Sequence, residues 1–195
     1  MKAHFRRKDT LPVDHGQYGK WQEMMKHKTL VMAIVLSASA SIGLAGAAYA
    51  QAAQRIKQNN AWGSYSHQGD KGKICYILSM PTEKEPSDRD HGDVFFMLAQ
   101  HPGQSVDLEP QFKVGYSFKD NSKVTLDIDG KKFTMFTRGD NAWMENPAED
   151  PLVVEAMKAG REMQLSAESQ RGTRTHYVYS LSGVTASLTD IENCK

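Results

Sequence analysis

Lys123-Val124-Thr125-Leu126-Asp127-Ile128-Asp129-Gly130-Lys131-Lys132-Phe133-Thr134-Met135 is the stretch whose reading decides the fold class. Val124, Leu126 and Ile128 alternate with polar residues, and Phe133, Met135 and Thr137 resume the alternation after Asp129-Gly130. Asp-Gly supplies two residues that tolerate positive φ, as the tight turn between twisted strands requires, so the spacing predicts a β-hairpin. Asp127-Ile128-Asp129-Gly130 also looks like the opening of a calcium loop, but the later ligand positions lack the required acid. The turn accounts for both the Asp and the Gly, and no metal or cofactor is expected.

Outward from the hairpin, the chain reads as short strands broken by turn residues. Gln51 to Asn60 is a polar lead, Trp62 to His67 alternates weakly, and Lys73 to Met80 carries Ile74, Tyr76 and Leu78 on one face and Cys75, Ile77 and Ser79 on the other. The last pattern predicts a strand buried on both sides. Thr82 to Gly92 is charged and holds Pro86, which predicts an exposed loop; Asp93 to Gln100 and Phe112 to Phe118 predict strands on either side of the His101-Pro102-Gly103 turn. Trp143 falls on a short strand or turn in Asn141 to Glu145. Asp150 as cap and Pro151 at the first turn predict a short helix with Leu152, Val153, Ala156 and Met157 inward, stopped at Gly160. Glu162 to Ala167 and Thr173 to Leu181 predict two strands joined by Ser169 to Thr173, and Ser182 to Cys194 a final helix capped by Ser182. The expectation is a mainly β domain of about eight strands and two helices.

Upstream, Lys26, His27 and Lys28 precede the apolar run Leu30 to Leu36, which softens into Ser, Ala and Gly and ends at Ala48-Tyr49-Ala50. That order is the basic, apolar and small-residue sequence of a secretory signal, with cleavage expected between Ala50 and Gln51. The alternative is a retained anchor, because Thr29 to Ala50 is an uncharged stretch of 22 residues. Its strongly apolar part is short, and Ala, Ser and Gly gain little in lipid, which favours the cleaved signal. Asp9, Asp14 and Glu23 make the first 24 residues an unusual leader, so initiation is expected at Met25 or Met24. Residues 51–195 are then a single domain, and no membrane association is expected after cleavage.

From Gln51 onward there are 17 Lys plus Arg against 20 Asp plus Glu, whereas the first 50 residues hold 7 against 3. A mildly acidic domain with mixed signs has no electrostatic footprint for nucleic acid, and Lys131-Lys132 reads as the solvated end of a hairpin. Export implies an oxidising compartment, so Cys75 and Cys194, the chain's two cysteines, are expected to pair. Closing a loop of about 120 residues is worth at most on the order of 4–5 kcal/mol in the chain-entropy picture.

His67, His91, His101 and His176 are scattered singly, which reads as solvated side chains rather than a metal or proton-transfer site. Met80, Met97, Met135, Met144, Met157 and Met163 mostly sit within apolar segments and read as core filler rather than copper ligands. Ser169, Arg171, Gly172 and Thr173 form the most pointed polar cluster, since a Gly turn presenting Arg and hydroxyls could receive a carboxylate or phosphate of a partner. Trp143 is a second candidate contact, as an aromatic with a polar edge.

In order, Trp62, Lys73-Ile74-Cys75-Tyr76, Gly115-Tyr116, Asp129-Gly130 with Phe133, Gly139-Asp140 to Ala142-Trp143, Ser169-x-Arg171-Gly172-Thr173, Tyr179-Ser180-Leu181-x-Gly183 and Cys194 resemble the invasion-associated locus B family. The resemblance implies a secreted or periplasmic protein of Gram-negative bacteria with an immunoglobulin-like β-sandwich and no established enzymatic activity. Thr175-His176-Tyr177 departs from the family's more Thr- and Asp-rich pattern. The function expected is therefore a non-enzymatic envelope protein contacting an envelope or host-surface protein. The alternative is a periplasmic hydrolase or redox enzyme whose site has no recognisable motif.

Overall fold

The Asp129-Gly130 hairpin forms as its sequence predicts: in the computed structural model Asp129 has φ 47° and Gly130 φ 92°. The described residues are 52–69, 72–100 and 108–192, and all lie in the second of the chain's two units, Ala48–Lys195. The signal segment with Ala48, Ala50 and Gln51, the His101-Pro102-Gly103 turn and Cys194 lie outside them. In chain order the strands are β1 (Gln54–Asn59), β2 (Trp62–Gly69), β3 (Gly72–Ser79), β4 (Glu83–Glu85), β5 (Phe95–Gln100), β6 (Glu109–Lys113), β7 (Lys123–Ile128), β8 (Lys131–Arg138), β9 (Asn141–Met144), β10 (Glu162–Glu168) and β11 (Arg174–Ser180). Helix α1 (Asp150–Ala159) follows a 3-10 turn at Pro147–Glu149, and α2 (Val184–Ile191) ends the described chain.

All eleven strands join one antiparallel sheet in the order β1-β2-β3-β5-β6-β9-β8-β7-β10-β11-β4. The expected mainly β class with an internal and a C-terminal helix is what is found. Hydrogen bonding joins the strands into a single sheet, whereas an immunoglobulin-like sandwich would divide them between two. The sheet nevertheless folds over: Phe96 of β5 lies 6.4 Å from Tyr179 of β11, and Phe112 of β6 lies 5.4 Å from Tyr177, ring centre to ring centre. Strands far apart in the sheet order thus share one core, into which Trp62, Leu98, Leu126, Met135 and Leu165 are also fully buried.

Several expectations change. The polar lead forms β1, paired with β2 through a turn at Asn60 (φ 49°); it is exposed along nearly its whole length, so no apolar period announced it. Its register shifts between Arg55 and Lys57, and such an irregular, charged edge resists pairing with another chain. The charged segment before Gly92 contains β4, which adds antiparallel to the edge of β11. On β3 the core takes Cys75, Ile77 and Ser79, while Ile74, Tyr76 and Leu78 are half-buried. The predicted strand to Phe118 stops at Lys113, with Phe118 bridging Ser169 instead.

Asp150 does not cap α1 but is its first residue, with Glu149 at the cap position making no side-chain bond to the helix, and the inward stripe is Asp150, Val153, Val154 and Met157, at helical spacing. Leu152, placed inward by the sequence pattern, is half exposed. For α2 the cap is Gly183, not Ser182, and Val184, Ser187, Leu188 and Ile191 face inward. The helix is stitched to β1 and β2 by Asp190, whose carboxylate accepts from Asn59 Nδ2 at 2.6 Å and Ser64 Oγ at 3.0 Å. Of the methionines, Met135, Met144, Met157 and Met163 are buried as expected, but Met80 is exposed.

Gly183 has φ 101°, and a Cβ there would fall 1.9 Å from the Asn59 carbonyl oxygen. Gly183→Ala combines backbone strain with a clash that only displacement of α2 from β1 can relieve. It is expected to cost about 3 kcal/mol or more, seen as a lower urea midpoint.

Candidate functional site

The Ser169–Thr173 cluster does form a tight turn between β10 and β11. Ser169 N donates to Thr173 O and Gly172 N to Ser169 O, while Ser169 Oγ accepts from Thr173 N at 3.1 Å. Gly172 has φ 82°, which a side chain would resist. Ser169 is buried and its hydroxyl holds the turn, whereas Arg171 is exposed. Gln170 N donates to Ser117 O, tying the turn to the segment after β6.

This turn forms one wall of an open cavity of about 640 Å³ whose other walls include Arg89, His91, Tyr116 and Thr175. Gly92 (φ 59°) and Gly115 bring the opposite wall into place: a Cβ on Gly115 would lie 2.5 Å from Gly92 Cα, and Gly115 N donates to His91 O. His91, read from sequence as solvated, is only 5 % exposed. Its Nε2 meets the Pro86 carbonyl at 3.1 Å and its Nδ1 the Tyr177 hydroxyl at 2.8 Å. Tyr177 Oη is 3.0 Å from Tyr116 Oη, which is 2.6 Å from Thr175 Oγ1. Because a carbonyl only accepts, Nε2 carries a hydrogen. Each phenol has one hydrogen to give, so the chain runs in a single direction at a time: Tyr177 donates to Tyr116 when Nδ1 is protonated, and to Nδ1 when it is not.

The phenols are held protonated. Tyr116 is pushed up by burial against the lowering effect of its Thr175 and Tyr177 bonds, and Tyr177 is pushed up far by burial, then by Tyr116. Both nitrogens of His91 are thus occupied by fixed partners, and the floor behaves as a rigid polar brace. Histidine and tyrosines here come from segments far apart in sequence, so no spacing could have revealed them. Among the described residues there is no group of three or more His, Cys, Asp or Glu placed to hold a metal ion.

Trp143, the other candidate, lies elsewhere. On β9 it pairs with Phe136 of β8, ring centres 5.7 Å apart and nearly parallel, beside a second cavity of about 440 Å³. Asp150 lines that cavity, 3 % exposed, with Oδ1 unbonded. Burial, then the neighbouring Glu109, pushes the Asp150 carboxyl up to about 6. In the turn before β9, Asp140 is held below the usual carboxylate range by its bond to Lys113.

The Asp127 and Asp129 carboxylates that suggested calcium are used by the backbone: Asp127 Oδ1 accepts from Gly130 N at 2.7 Å, and Asp129 Oδ2 from Arg161 N at 2.8 Å. Cys75 is wholly buried on β3. No helix among the described residues is long and apolar enough to cross a membrane.

Fold and sites define a class: a mainly β domain with a polar cavity at one sheet connection and a hydroxyl brace beneath it. The invasion associated locus B (IalB) protein family matches residues 63–192, and the chain belongs to that family. Its fold is similar to the crystal structure of invasion associated protein B from Bartonella henselae, with a TM-score of 0.51 at 15 % identity, covering 70 % of this chain and 94 % of that one. No curated protein matches the chain.

Two sets of variants test these assignments. Tyr177→Phe strips His91 Nδ1 of its partner and should cost about 1–2 kcal/mol by urea denaturation. The phenol of Tyr179 is buried without a partner, so Tyr179→Phe should be neutral or stabilising. For Asp150 the folded state holds a proton that the unfolded chain releases near its ordinary value of 3.8. Stability is therefore greatest below about pH 4 and falls as pH rises through about 6. Asp150→Asn should raise stability by about 1–3 kcal/mol at neutral pH and change little at pH near 4.

Proposed function

We propose that this family member is a non-enzymatic envelope protein, exported by its signal segment and cleaved after Ala50, that binds a partner protein at the Ser169–Thr173 turn. The carrying observation is the division of labour in the turn: Ser169 is spent on holding it, while Arg171 is exposed and lines the cavity together with Arg89. Arg89 lies 3.7 Å from Asp88, which lines the cavity with Asp90, so the exposed Arg171 is the guanidinium that suits a carboxylate on a partner surface. Occupation of both His91 nitrogens favours binding over catalysis, because neither is free to take a proton from a substrate. The first strand begins at Gln54, just past the expected cleavage bond, which fits residues 51–195 acting as one domain.

Export carries the Cys75–Cys194 disulfide with it. No free cysteine occurs among the described residues, and α2, which packs against β3, ends at Ile191 shortly before Cys194. The fold-over of the sheet gives the two facing layers that a sandwich requires, and we read the immunoglobulin-like likeness as this layering rather than as strand order.

A photo-crosslinker at Gln170, on protein expressed in its own envelope, should trap one partner, and Arg171→Glu should cut the yield at least tenfold with an unchanged melting temperature. An unaffected yield, or substrate turnover abolished by a single cavity substitution, would sink the proposal. Intact mass before and after reduction should differ by the two hydrogens of one disulfide, in a chain starting at Gln51.

A further inference from the structure

Partner binding at the Ser169–Thr173 turn makes no use of the outward face of the sheet. There Leu78 of β3 pairs with Met97 of β5, Met97 with Gln111 of β6, Gln111 with Trp143 of β9, and Trp143 with Phe136 of β8. Directly opposed residues of antiparallel strands share a face, so these five stand in one row across five adjacent strands. Their chain neighbours Ile77, Leu98, Phe112, Ala142 and Met135 are fully buried, which puts the row on the side away from the core. That side of an antiparallel sheet is ordinarily polar. Here Leu78, Met97 and Trp143 are half-buried and Phe136 is 38 % exposed. Tyr76, two residues from Leu78 on the same face, stacks on Tyr65 at 5.3 Å and widens the apolar surface.

The one polar member of the row decides between occupants. Gln111 stands third of the five, and its Nε2 donates to Asn141 Oδ1 at 2.9 Å, one of the four bonds a side-chain amide can make. A lipid tail or a purely apolar partner closing over the row would strip water from the amide's other donor and its acceptor and return no bond to either. A second copy related by a two-fold axis at Gln111 sets the same amide opposite, where each Oε1 accepts from the other's Nε2. Two apolar residues flank Gln111 on each side, so they meet apolar residues of the mate in either orientation of the row, and no ionisable side chain stands in it. Five strands with three outward residues each present about fifteen side chains per copy. Interfaces burying about 800 Å² per partner use some 20–30 residues a side, so this face buries on the order of 500 Å² per copy, the lower limit for a specific contact.

We propose that this outward row is the contact face of a symmetric dimer of this chain, with the two Gln111 amides paired on the two-fold axis. So small an area makes the dimer weak and concentration-dependent, with a dissociation constant on the order of 10–100 µM. The contact gives Trp143 a role separate from that of Arg171, since the β10–β11 turn contributes nothing to the row.

The test is sedimentation equilibrium of the mature protein from about 1 µM to about 1 mM, where a monomer–dimer equilibrium is expected. Phe136→Glu, at the most exposed position of the row, and separately Leu78→Lys, at its other end, are each expected to weaken dimerisation about tenfold or more with an unchanged melting temperature. Facing sheets stand about 10 Å apart, so a short bis-thiosulfonate reagent is expected to link two copies of Gln111→Cys across the axis. Lys132→Cys, at the exposed end of the β7–β8 hairpin, is the control and is expected to link none above background. A monomer at every concentration, a dimer untouched by both charge variants, or a dimer whose Gln111→Cys copies do not link would each overturn the proposal. A monomer that binds lipid vesicles, and loses them in Phe136→Glu, would overturn it in favour of a membrane surface.

Discussion

Contact between aromatic side chains from strands far apart in one sheet is the interaction on which the rest depends. An antiparallel sheet of eleven strands could lie open, with one face wet. Here Phe96 and Phe112 meet Tyr179 and Tyr177, and Trp62 closes against Phe96 at 6.5 Å. Each such ring removes a large apolar area from water, and edge-to-face geometry adds a favourable electrostatic contribution of about 0.5–1.5 kcal/mol per pair. The layering, the seat for α2 and the juxtaposition of His91 with Tyr177 all follow from this closure. Trp62 makes the link specific, since its indole N–H donates to Ser180 O at 2.9 Å and its carbonyl accepts from Ser187 of α2.

Closure also explains the polar chemistry. A strand contributing to a core at period two must place Thr175, Tyr177 and Tyr179 on the same inward row. Tyr177 and Thr175 reach His91 and Tyr116 and are satisfied. Tyr179, one step deeper, serves as a Phe-like body against Phe96 and leaves its hydroxyl alone. The two orphan atoms among the described residues therefore differ in kind. That of Tyr179 follows from packing, while that of Asp150 belongs to a residue that lines a cavity together with Phe136 and Trp143.

What could be read from sequence depended on whether the information was local. The β7–β8 hairpin was legible because Asp129-Gly130 and the flanking alternation are local causes of a local structure. The stop at Gly160 and the Ser169–Thr173 turn were legible for the same reason. β1 was not, because an exposed edge strand has no apolar face to set a period, and β4 was not, because three residues held by backbone bonds to β11 carry no side-chain signal. Asp150 resembled a cap because Asp before Pro favours that role; the 3-10 turn at Pro147–Glu149, itself capped by Asn146, moved the start of the helix. At the candidate site, Arg171 is exposed and lines the cavity, while His91, read as solvated, is buried. The bond between His91 and Tyr177 spans 86 positions, and its environment exists only after the sheet has closed.

The residues that carry the family resemblance mostly occupy places where two backbones approach or a turn must be held. Gly115 lies against Gly92, and Gly183 against Asn59. The Gly139 and Asp140 carbonyls receive the amides of Phe118 and Val114, and Ser169 and Gly172 shape a turn. Such positions determine the architecture and are indifferent to what the surface meets. Of that same set, Gly115, Tyr116, Ser169, Arg171 and Thr173 line one cavity and Trp143 another. Membership of the family therefore transmits a scaffold, and any ligand must be argued from the side chains this chain places around its cavities.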